Sequence, residues 1–257
     1  MNVPLDDLGA PAGLDGSAGR VVSLVPSLTE AIAATRPDLL VGATDWCTHP
    51  ADLDVTRVRG TKNPDRAAIV ALKPDIVLAN REENRELDVR RLREDGIAVW
   101  VTVIETVDEA FASLRRMFTE GLGWDAPSWL DDAEAAWAEP APNSDRRVAI
   151  PIWRDPWMVV GSHTFTGDLV RRLGLINAFG DTDLNPGQDR YPHVDLADID
   201  RDDIDLVILP DEPYVFTATD GPEAFTHTPT VLVSGRSLTW YGPSMVTARA
   251  QLEAALV

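Results

Sequence analysis

The segment TDWCTHP, residues 44–50, combines a thiol, an imidazole and an indole within seven positions. Cys47 is the only cysteine of the chain, and it precedes His49 by two residues. A protein metal site needs about three or four convergent ligands. The other histidines lie far along the chain, at His163, His193 and His227. Two interpretations stay open: part of a metal or thiol site, or a loop in which Cys47 packs as a small hydrophobe and His49-Pro50 forms a turn.

Trp46 raises a separate question, because its indole could fill a core or line a pocket. It follows a predicted strand at 39–42 and lies beside polar Asp45 and Thr48, which favours a loop at the carboxyl edge of a sheet. Ligands of open α/β folds bind at that edge. Further aromatic residues follow other predicted strands: Trp153, Trp157, Tyr191, Tyr214, Phe216, Trp240 and Tyr241. Flat rings around a cleft suit a large, planar, partly apolar ligand.

Charged residues also follow the predicted strands. Arg81, Arg154 and Arg236 stand at strand ends, where guanidinium groups could hold carboxylates or amides of such a ligand. Glu82 and Glu83 follow in the run NREENR and could join Cys47 and His49 in a small metal-dependent enzyme or metallochaperone. A solvated helix entry is the simpler interpretation of this charge run.

Strands and helices alternate along the first hundred residues, which predicts an α/β fold with a parallel sheet. Pro26 ends a β-rich run, and Ser27 with Glu30 matches the capping box that opens a helix. Asp65 is expected to stabilise the start of another helix through the helix dipole. The predicted strands are 20–26, 39–42, 76–79 and 97–101, and the predicted helices are 27–35, 64–72 and 85–94.

The same pattern returns in the second half of the chain. Val21 of RVVSLVP and Val148 of RRVAIPIW are 127 positions apart, and Asp75 of LKPDIVLAN and Asp205 of DDIDLVILPD are 130 apart. Two similar offsets predict two related lobes. Amphipathic helices are predicted between them over 108–120 and 127–139. The predicted organisation is a disordered tail (1–19), an N-terminal α/β lobe (20–104), a helical connector (105–145) and a C-terminal α/β lobe (146–257).

Composition excludes several classes of function. Acidic residues outnumber basic ones 42 to 23, so a net charge of -19 makes nucleic acids and anionic membranes poor partners. The longest apolar runs are strand-sized, far below the roughly 18 residues of a membrane helix. The first 19 residues show neither a basic n-region nor an apolar core, so the chain as given predicts a cytoplasmic protein. Signature motifs of serine hydrolases, P-loop proteins, dinucleotide-binding folds and zinc proteases are absent, which favours a protein that is not an enzyme.

Several motifs resemble a known family. RVVSLVPSLTE, TDWCTHP, GTKNPD and IVALKPDIVLAN resemble the N-lobe of the Fe/B12 periplasmic-binding domain family, the class III solute-binding proteins that include cobalamin, siderophore and haem receptors. IPIWRDPWMVVGSHTFTGDLVRRLGLINAF and LVSGRSLTWYGPSM resemble its C-lobe. The resemblance covers roughly residues 20–252 and is greatest to cobalamin-binding-like members, also called helical backbone metal receptors.

This resemblance implies two Rossmann-like lobes with parallel sheets, joined by a connecting helix, and a ligand cleft between them. It implies a corrinoid or related metal chelate as ligand, no tightly bound cofactor, no catalytic residue, and delivery to an ABC transporter permease. Together with the aromatic positions, it predicts these ligand-binding residues: Ser27 after Pro26, Trp46, Thr61, Lys62, Asn80, Arg81, Glu83, Trp153, Arg154, Trp157, Tyr191, Arg236 and Trp240.

Docking to a transporter in this family uses an acidic residue on each lobe, usually glutamate. Asp65 matches the first position, and Asp195 or Asp198 matches the second, with Ala197 between them. The predicted connecting helix, 127–139, would be about 18 to 20 Å long. The resemblance implies an extracytoplasmic protein if the true start lies upstream.

The first expectation is therefore a monomeric, non-enzymatic corrinoid-binding protein that serves uptake or intracellular handover. A ferric siderophore or haem is the alternative ligand. A metal-dependent enzyme or metallochaperone using Cys47 and His49, and a purely structural or partner-binding module, are the alternatives of other classes.

Overall fold

The computed structural model describes residues 3–12, 14, 16–180 and 190–256. The chain forms two compact units. Unit 1 comprises Met1–Ile104, Asp108–Asp132 and Tyr241–Pro243, and unit 2 comprises Glu105–Val107, Ala133–Trp240 and Ser244–Val257. Within the described ranges, the helices are all too short or too polar to cross a membrane.

Unit 1 is built on a parallel sheet in the order β3-β2-β1-β6-β7. Its strands are β1 (Val21–Ser23), β2 (Leu40–Ala43), β3 (Thr56–Arg57), β6 (Ile76–Asn80) and β7 (Ala98–Thr102), and β4 (Arg59–Gly60) with β5 (Asn63–Pro64) forms a small antiparallel hairpin. Its helices are α1 (Pro26–Ala33), α2 (Arg66–Ala71), α3 (Glu86–Glu94) and α4 (Val107–Arg116), which continues as a π-helical turn at Met117–Gly121. Every residue of β1 and β6 is buried, which fits their mostly apolar sequences.

Unit 2 contains a parallel sheet in the order β11-β8-β12-β13. Its strands are β8 (Arg147–Ala149), β11 (Ile176–Asn177), β12 (Leu206–Pro210) and β13 (Thr230–Val233), and β9 (Pro151–Trp153) pairs with β10 (Met158–Val159) as a hairpin. Its helices are α6 (Phe165–Arg172), α7 (Leu196–Ile199), α8 (Gly235–Thr239) and α9 (Met245–Ala255). The predicted α/β class with parallel sheets is confirmed.

The predicted internal repeat is visible in equivalent hydrogen bonds. In unit 1, the amide of Asp75 donates to Arg20 O at 2.9 Å, and its carboxylate accepts from Arg20 N at 2.8 Å. In unit 2, the amide of Asp205 donates to Arg147 O at 2.8 Å, and its carboxylate accepts from Arg147 N at 2.7 Å. Each aspartate therefore joins the starts of two adjacent parallel strands in the same way.

The capping box predicted at the start of α1 is wrong. The helix begins one residue earlier, with Pro26 at its first position and Val25 as a cap that makes no side-chain hydrogen bond. Proline is well suited to this position because it has no N–H to leave unsatisfied. Ser27 and Glu30 therefore lie inside the helix, where both are buried.

The segment predicted as a disordered tail packs against unit 1 where the structure describes it; residues 1, 2, 13 and 15 lie outside that description. The amide of Asp7 donates to Val101 O at 3.1 Å, and its carboxylate accepts from Val103 N at 3.0 Å and Arg116 Nη1 at 2.6 Å. The buried carboxylate of Asp6 accepts from Arg93 Nη2 at 2.6 Å. These residues cover the open edge of β7, and we call Pro4–Ala12 the edge strap. The aspartates that suggested a solvated tail satisfy donors of the sheet edge instead.

The segment predicted as a separate connector, 105–145, is divided between the two units. Helix α5 (Ser128–Trp137) contains the boundary, because residues up to Asp132 belong to unit 1 and those from Ala133 belong to unit 2. Its apolar face is buried at Leu130, Ala133 and Trp137, so the helix contributes to the cores rather than standing alone.

Candidate functional site

The sheet of unit 1 has a topological switch point between β1 and β6. From β1 the chain continues to β2 on one side, whereas β6 leads to β7 on the other. Ligands of open α/β sheets bind outside the carboxyl ends of the strands at such a point. Ser27 follows β1, Asn80 ends β6, and Arg81 with Glu83 comes directly after it. The sequence analysis therefore selected residues at the expected edge.

Two buried asparagines hold this edge. The side chain of Asn84 accepts from Asn80 N at 2.9 Å and donates to Thr61 O at 3.0 Å and to Leu24 O at 3.4 Å. The side chain of Asn80 accepts from Glu82 N at 2.8 Å and donates to Thr102 Oγ1 at 3.1 Å. The side chain of Asn80 thus fixes the path of the loop that follows β6. The sequence analysis did not select Asn84. Its position in the charge run NREENR gave no sign of burial.

The turn between β4 and β5 meets the same loop. Thr61 is buried, and its carbonyl accepts from Asn84, while exposed Lys62 donates from Nζ to the carbonyl of Glu82. Thr61, Lys62, Asn80 and Glu83 are therefore brought together in unit 1. Arg81 is exposed beside them.

The carboxyl group of Glu83 is electrostatically unusual. Burial raises its pKa above the ordinary glutamate value, the negative charge of Glu82 raises it further, and Lys62 opposes both effects. Carboxyl groups with perturbed pKa values in a cleft are candidates for functional roles.

In the segment TDWCTHP, Cys47 and the neighbouring Trp46 have opposite environments, one buried and one exposed. Cys47 is fully buried, and its sulfur contacts Thr29 Oγ1 at 3.0 Å and Thr44 Oγ1 at 3.1 Å. Burial also raises the pKa of the thiol, which disfavours the reactive thiolate. Among the described residues, no group of three or more His, Cys, Asp or Glu side chains could hold a metal ion. The packing interpretation of Cys47 therefore fits better, whereas Trp46 is 66% exposed and could line a pocket.

Unit 2 has its own switch point, between β8 and β12. Trp153 ends strand β9, and Tyr214 follows β12. Their rings meet edge to face with centroids 5.5 Å apart, and Trp153 stays 45% exposed. This edge therefore presents an indole backed by a second aromatic ring.

Two of the aromatic residues predicted to bind the ligand do not lie on the surface. Trp157 is buried, stacked on Phe216 at 6.1 Å and packed edge to face on Phe225 at 5.5 Å. Trp240 is also buried. Tyr191 and Arg236 are half-buried in unit 2. Trp153 ends β9 and Trp157 directly precedes β10 of the same hairpin, and sequence spacing could not tell which indole enters the core.

Arg154 is paired within unit 2. Its guanidinium binds Asp220, contacts Glu223 Oε1 at 2.7 Å, and lies 5.4 Å from the ring centre of Trp157. Asp220 also accepts from the hydroxyl of Tyr214 at 2.8 Å, which raises the pKa of the tyrosine. Arg154 therefore fixes the support of Trp153 and offers little unneutralised charge to a ligand.

A cavity of about 460 Å³ in unit 2 was not found from the sequence. Its lining includes Glu105, His163, Thr164, Asp168, Arg171 and Asn177. Glu105 binds Arg190 at 2.5 Å and lies 3.9 Å from His163 Nδ1. Much of the lining comes from the segment GSHTFTGD, residues 161–168. In the sequence, its small polar residues indicated only the start of a helix.

The predicted docking acids both lie at helix starts. Asp65 caps α2 by accepting from Ala68 N at 3.0 Å, which confirms its expected place at a helix start. Asp198 and Asp195 form a capping box at the start of α7. Contact of these residues with a transporter remains a prediction.

No family model matches the chain. The chain is 27% identical to a vitamin B12-binding protein of Pectobacterium atrosepticum over 175 residues, which is 63% of each protein. It therefore spans a little under two thirds of the length of that relative.

Two solved structures share its fold over nearly the whole chain. The periplasmic vitamin B12 binding protein of Vibrio cholerae matches with a TM-score of 0.70 and 19% identity, covering 93% of this chain and 96% of the other. The periplasmic heme-binding protein of Roseiflexus sp. RS-1 in apo form matches with a TM-score of 0.75 and 19% identity, covering 93% and 98%.

The chain therefore shares the α/β fold of these two solved structures. The relatives are named vitamin B12-binding proteins, which agrees with the resemblance found in the sequence.

Proposed function

We propose that the chain is a non-enzymatic solute-binding protein for a corrinoid or a closely related metal chelate. One observation carries this proposal: the carboxyl edge of each unit presents an exposed indole, Trp46 in unit 1 and Trp153 in unit 2. Exposed aromatic rings at the ends of parallel strands suit the flat, partly apolar face of a macrocycle. Relatives named as vitamin B12-binding proteins support a corrinoid as the ligand.

Polar groups at the edge of unit 1 would hold the periphery of the ligand. Thr61, Lys62, Arg81 and Glu83 surround the loop that Asn80 and Asn84 fix in place. A preorganised polar loop binds without first losing conformational freedom, so its hydrogen bonds add to affinity. In unit 2, Tyr214 supports Trp153 in the same way through ring packing.

Haem or a ferric siderophore is the second candidate, since some structural neighbours are named as heme-binding proteins. Anionic chelates need cations at the site. Arg154, a predicted cation, is already neutralised by Asp220 and Glu223. This pairing favours a corrinoid over a carboxylate-bearing ligand.

We further propose extracytoplasmic uptake with an ABC transporter permease as partner, in which Asp65 and Asp198 contact the permease. Several structural neighbours are named as periplasmic, which supports this location. Both acids lie on the helix starts described above, where the side chain of Asp65 is about one-third exposed and Asp198 is exposed.

A binding experiment tests the proposal. Purified protein is titrated with cyanocobalamin, hydroxocobalamin, haem and a ferric siderophore, and thermal stability and tryptophan fluorescence are recorded. We expect saturable quenching at micromolar corrinoid and a rise in melting temperature, because binding to the folded state alone stabilises it. Trp46→Ala and Trp153→Ala should each weaken binding by roughly 30-fold, the loss typical of an aromatic anchor.

Val70→Ala is the matched control, because it removes an exposed apolar side chain from α2. It should bind like the original chain. A response to haem or siderophore alone would assign the second candidate, and no response to any of the four ligands would refute the proposal.

A further inference from the structure

Glu83 stands in a loop whose backbone is held by hydrogen bonds. Its backbone amide donates to Asn80 Oδ1 at 3.3 Å, and the next residue, Asn84, is anchored by three hydrogen bonds. Within the described part of the chain, the carboxyl group itself makes no hydrogen bond and no ion pair. It is also half-buried. A polar group that is fixed, partly desolvated and unpaired is available to a ligand.

The surroundings of Glu83 favour its neutral form. Desolvation and the charge of Glu82 both raise its pKa, and Lys62, from the β4–β5 turn, is the cation that opposes them. Lys62 is directed to the carbonyl of Glu82. The carboxylic acid form has one O–H donor and a carbonyl acceptor, whereas the ionised form can only accept.

We propose that Glu83 makes the chain selective for chelates that carry carboxamides at their periphery, by donating its carboxyl proton to an amide oxygen and accepting an amide N–H. This inference rests on the proposed function and deepens it, since it names the chemical class of the substituent that the unit 1 edge recognises. No covalent bond changes, and the proton stays on Glu83.

An acid and a primary amide are complementary at two points, because each has one donor beside one acceptor. A carboxylate in the same place would lack the donor and would meet the negative charge of Glu82. Sites built to hydrogen-bond a neutral group discriminate strongly against ligands that leave their buried polar atoms unpaired. The net charge of -19 acts in the same direction at longer range.

The proposal requires a particular sign of pH dependence. The pKa of Glu83 is raised, so the neutral acid is present at low pH and is lost as pH rises through that value. Affinity for an amide-bearing corrinoid should therefore be constant at low pH and fall at higher pH, by at most about tenfold per pH unit for one proton.

Two corrinoid probes test the proposal by calorimetric titration: dicyanocobinamide, which bears carboxamides, and dicyanocobyrinic acid, which bears carboxylates. We expect the original chain to prefer the amide probe and to lose affinity as pH rises. Glu83→Gln should keep this affinity and lose the pH dependence, because glutamine still donates and accepts but does not titrate. Glu83→Ala should bind the amide probe roughly tenfold more weakly.

Two variants control for charge alone. Glu86→Gln removes an exposed carboxylate from the start of α3 and should behave like the original chain. Glu82→Gln removes the neighbouring charge and should move the fall in affinity to lower pH, without changing the affinity at low pH.

The outcomes separate the inference from the proposed function. If the original chain and Glu83→Ala bind the amide probe with equal, pH-independent affinity, the assignment to Glu83 is overturned and the corrinoid-binding function stands. A preference for the carboxylate probe would also overturn it. Binding of neither corrinoid at any pH would refute both.

Discussion

The two switch points are built in different ways. In unit 1, the side chains of Asn80 and Asn84 hold the edge through hydrogen bonds directed mainly at the backbone. In unit 2, the edge is held by contacts between side chains, with Trp153 on Tyr214 and Arg154 on Asp220 and Glu223. A buried amide that bonds backbone atoms fixes the path of a loop, whereas aromatic and ionic contacts fix the orientation of rings. The duplicated fold thus holds one edge by hydrogen bonds to the backbone and the other by contacts between side chains.

The largest expected effect tests which indole of unit 2 belongs to the core. Trp157→Ala should lower the free energy of unfolding by about 3 to 5 kcal/mol, because a buried ring is removed and leaves a cavity. Trp153→Ala, in the same hairpin, should cost about 1 kcal/mol or less, because nearly half of its surface is already exposed. Urea denaturation measures both. Equal losses would show that the two rings share one structural role.

A smaller but substantial loss of stability is expected when the hydrogen bonds of the Asn84 side chain in unit 1 are removed. Asn84→Ala leaves the buried N–H of Asn80 and the carbonyls of Leu24 and Thr61 without this partner, which should cost about 2 to 3 kcal/mol. Asn143→Ala is the control, because Asn143 is exposed and its side chain accepts from the nearby Asp145 N. A loss at Asn84 no greater than the loss at Asn143 would contradict the framing role. The measurement is again the free energy of unfolding.

The smallest expected effect is on the stability of the protein at low pH, and it involves the carboxylate of Asp200. Burial alone would raise the pKa of Asp200, but four hydrogen bonds, from the backbone of Thr226, His227 and Thr228 and the Thr226 hydroxyl, lower it below the ordinary value. A lowered pKa gives stability that is present above the unfolded value near 3.9 and is lost as pH falls.

Asp200→Asn should therefore flatten the dependence of unfolding free energy on pH between about pH 5 and pH 2, by at most about 1.4 kcal/mol per pH unit. Hydrogen exchange of the peptide 226–228 locates the change, and Asp203→Asn, at an exposed carboxylate, is the control. If Asp200→Asn has the same pH profile as the original chain, Asp200 does not contribute to the loss of stability at low pH.

The sequence predicted the parallel sheets and the repeat because both depend on short apolar runs and on Asp75 and Asp205 at matching places. It also placed Asp65 correctly at a helix start. It failed at α1, where the proline, rather than the serine after it, determines the beginning of the helix. A capping-box pattern therefore predicts a helix start only where no neighbouring proline favours a different start.

The side chains of the candidate site were harder to predict. Trp153 and Trp157 differ in burial, although Trp153 ends β9 and Trp157 directly precedes β10 of the same hairpin. Asn84 and Glu83 stand in a charge run that is typical of a solvated helix entry. Their burial arises from the β4–β5 turn and the end of β1, which are distant in sequence, so it depends on tertiary contacts that single-sequence patterns do not contain.

The edge strap has a consequence for how this chain behaves when it is shortened. Strand β7 is the outermost strand of its sheet, and Asp6 and Asp7 occupy the N–H groups of Val101 and Val103. A chain that began at residue 20 would leave these donors open along an apolar strand, and exposed strand edges pair with the edges of other molecules. We therefore expect the shortened protein, unlike the full chain, to form oligomers and aggregates that light scattering detects.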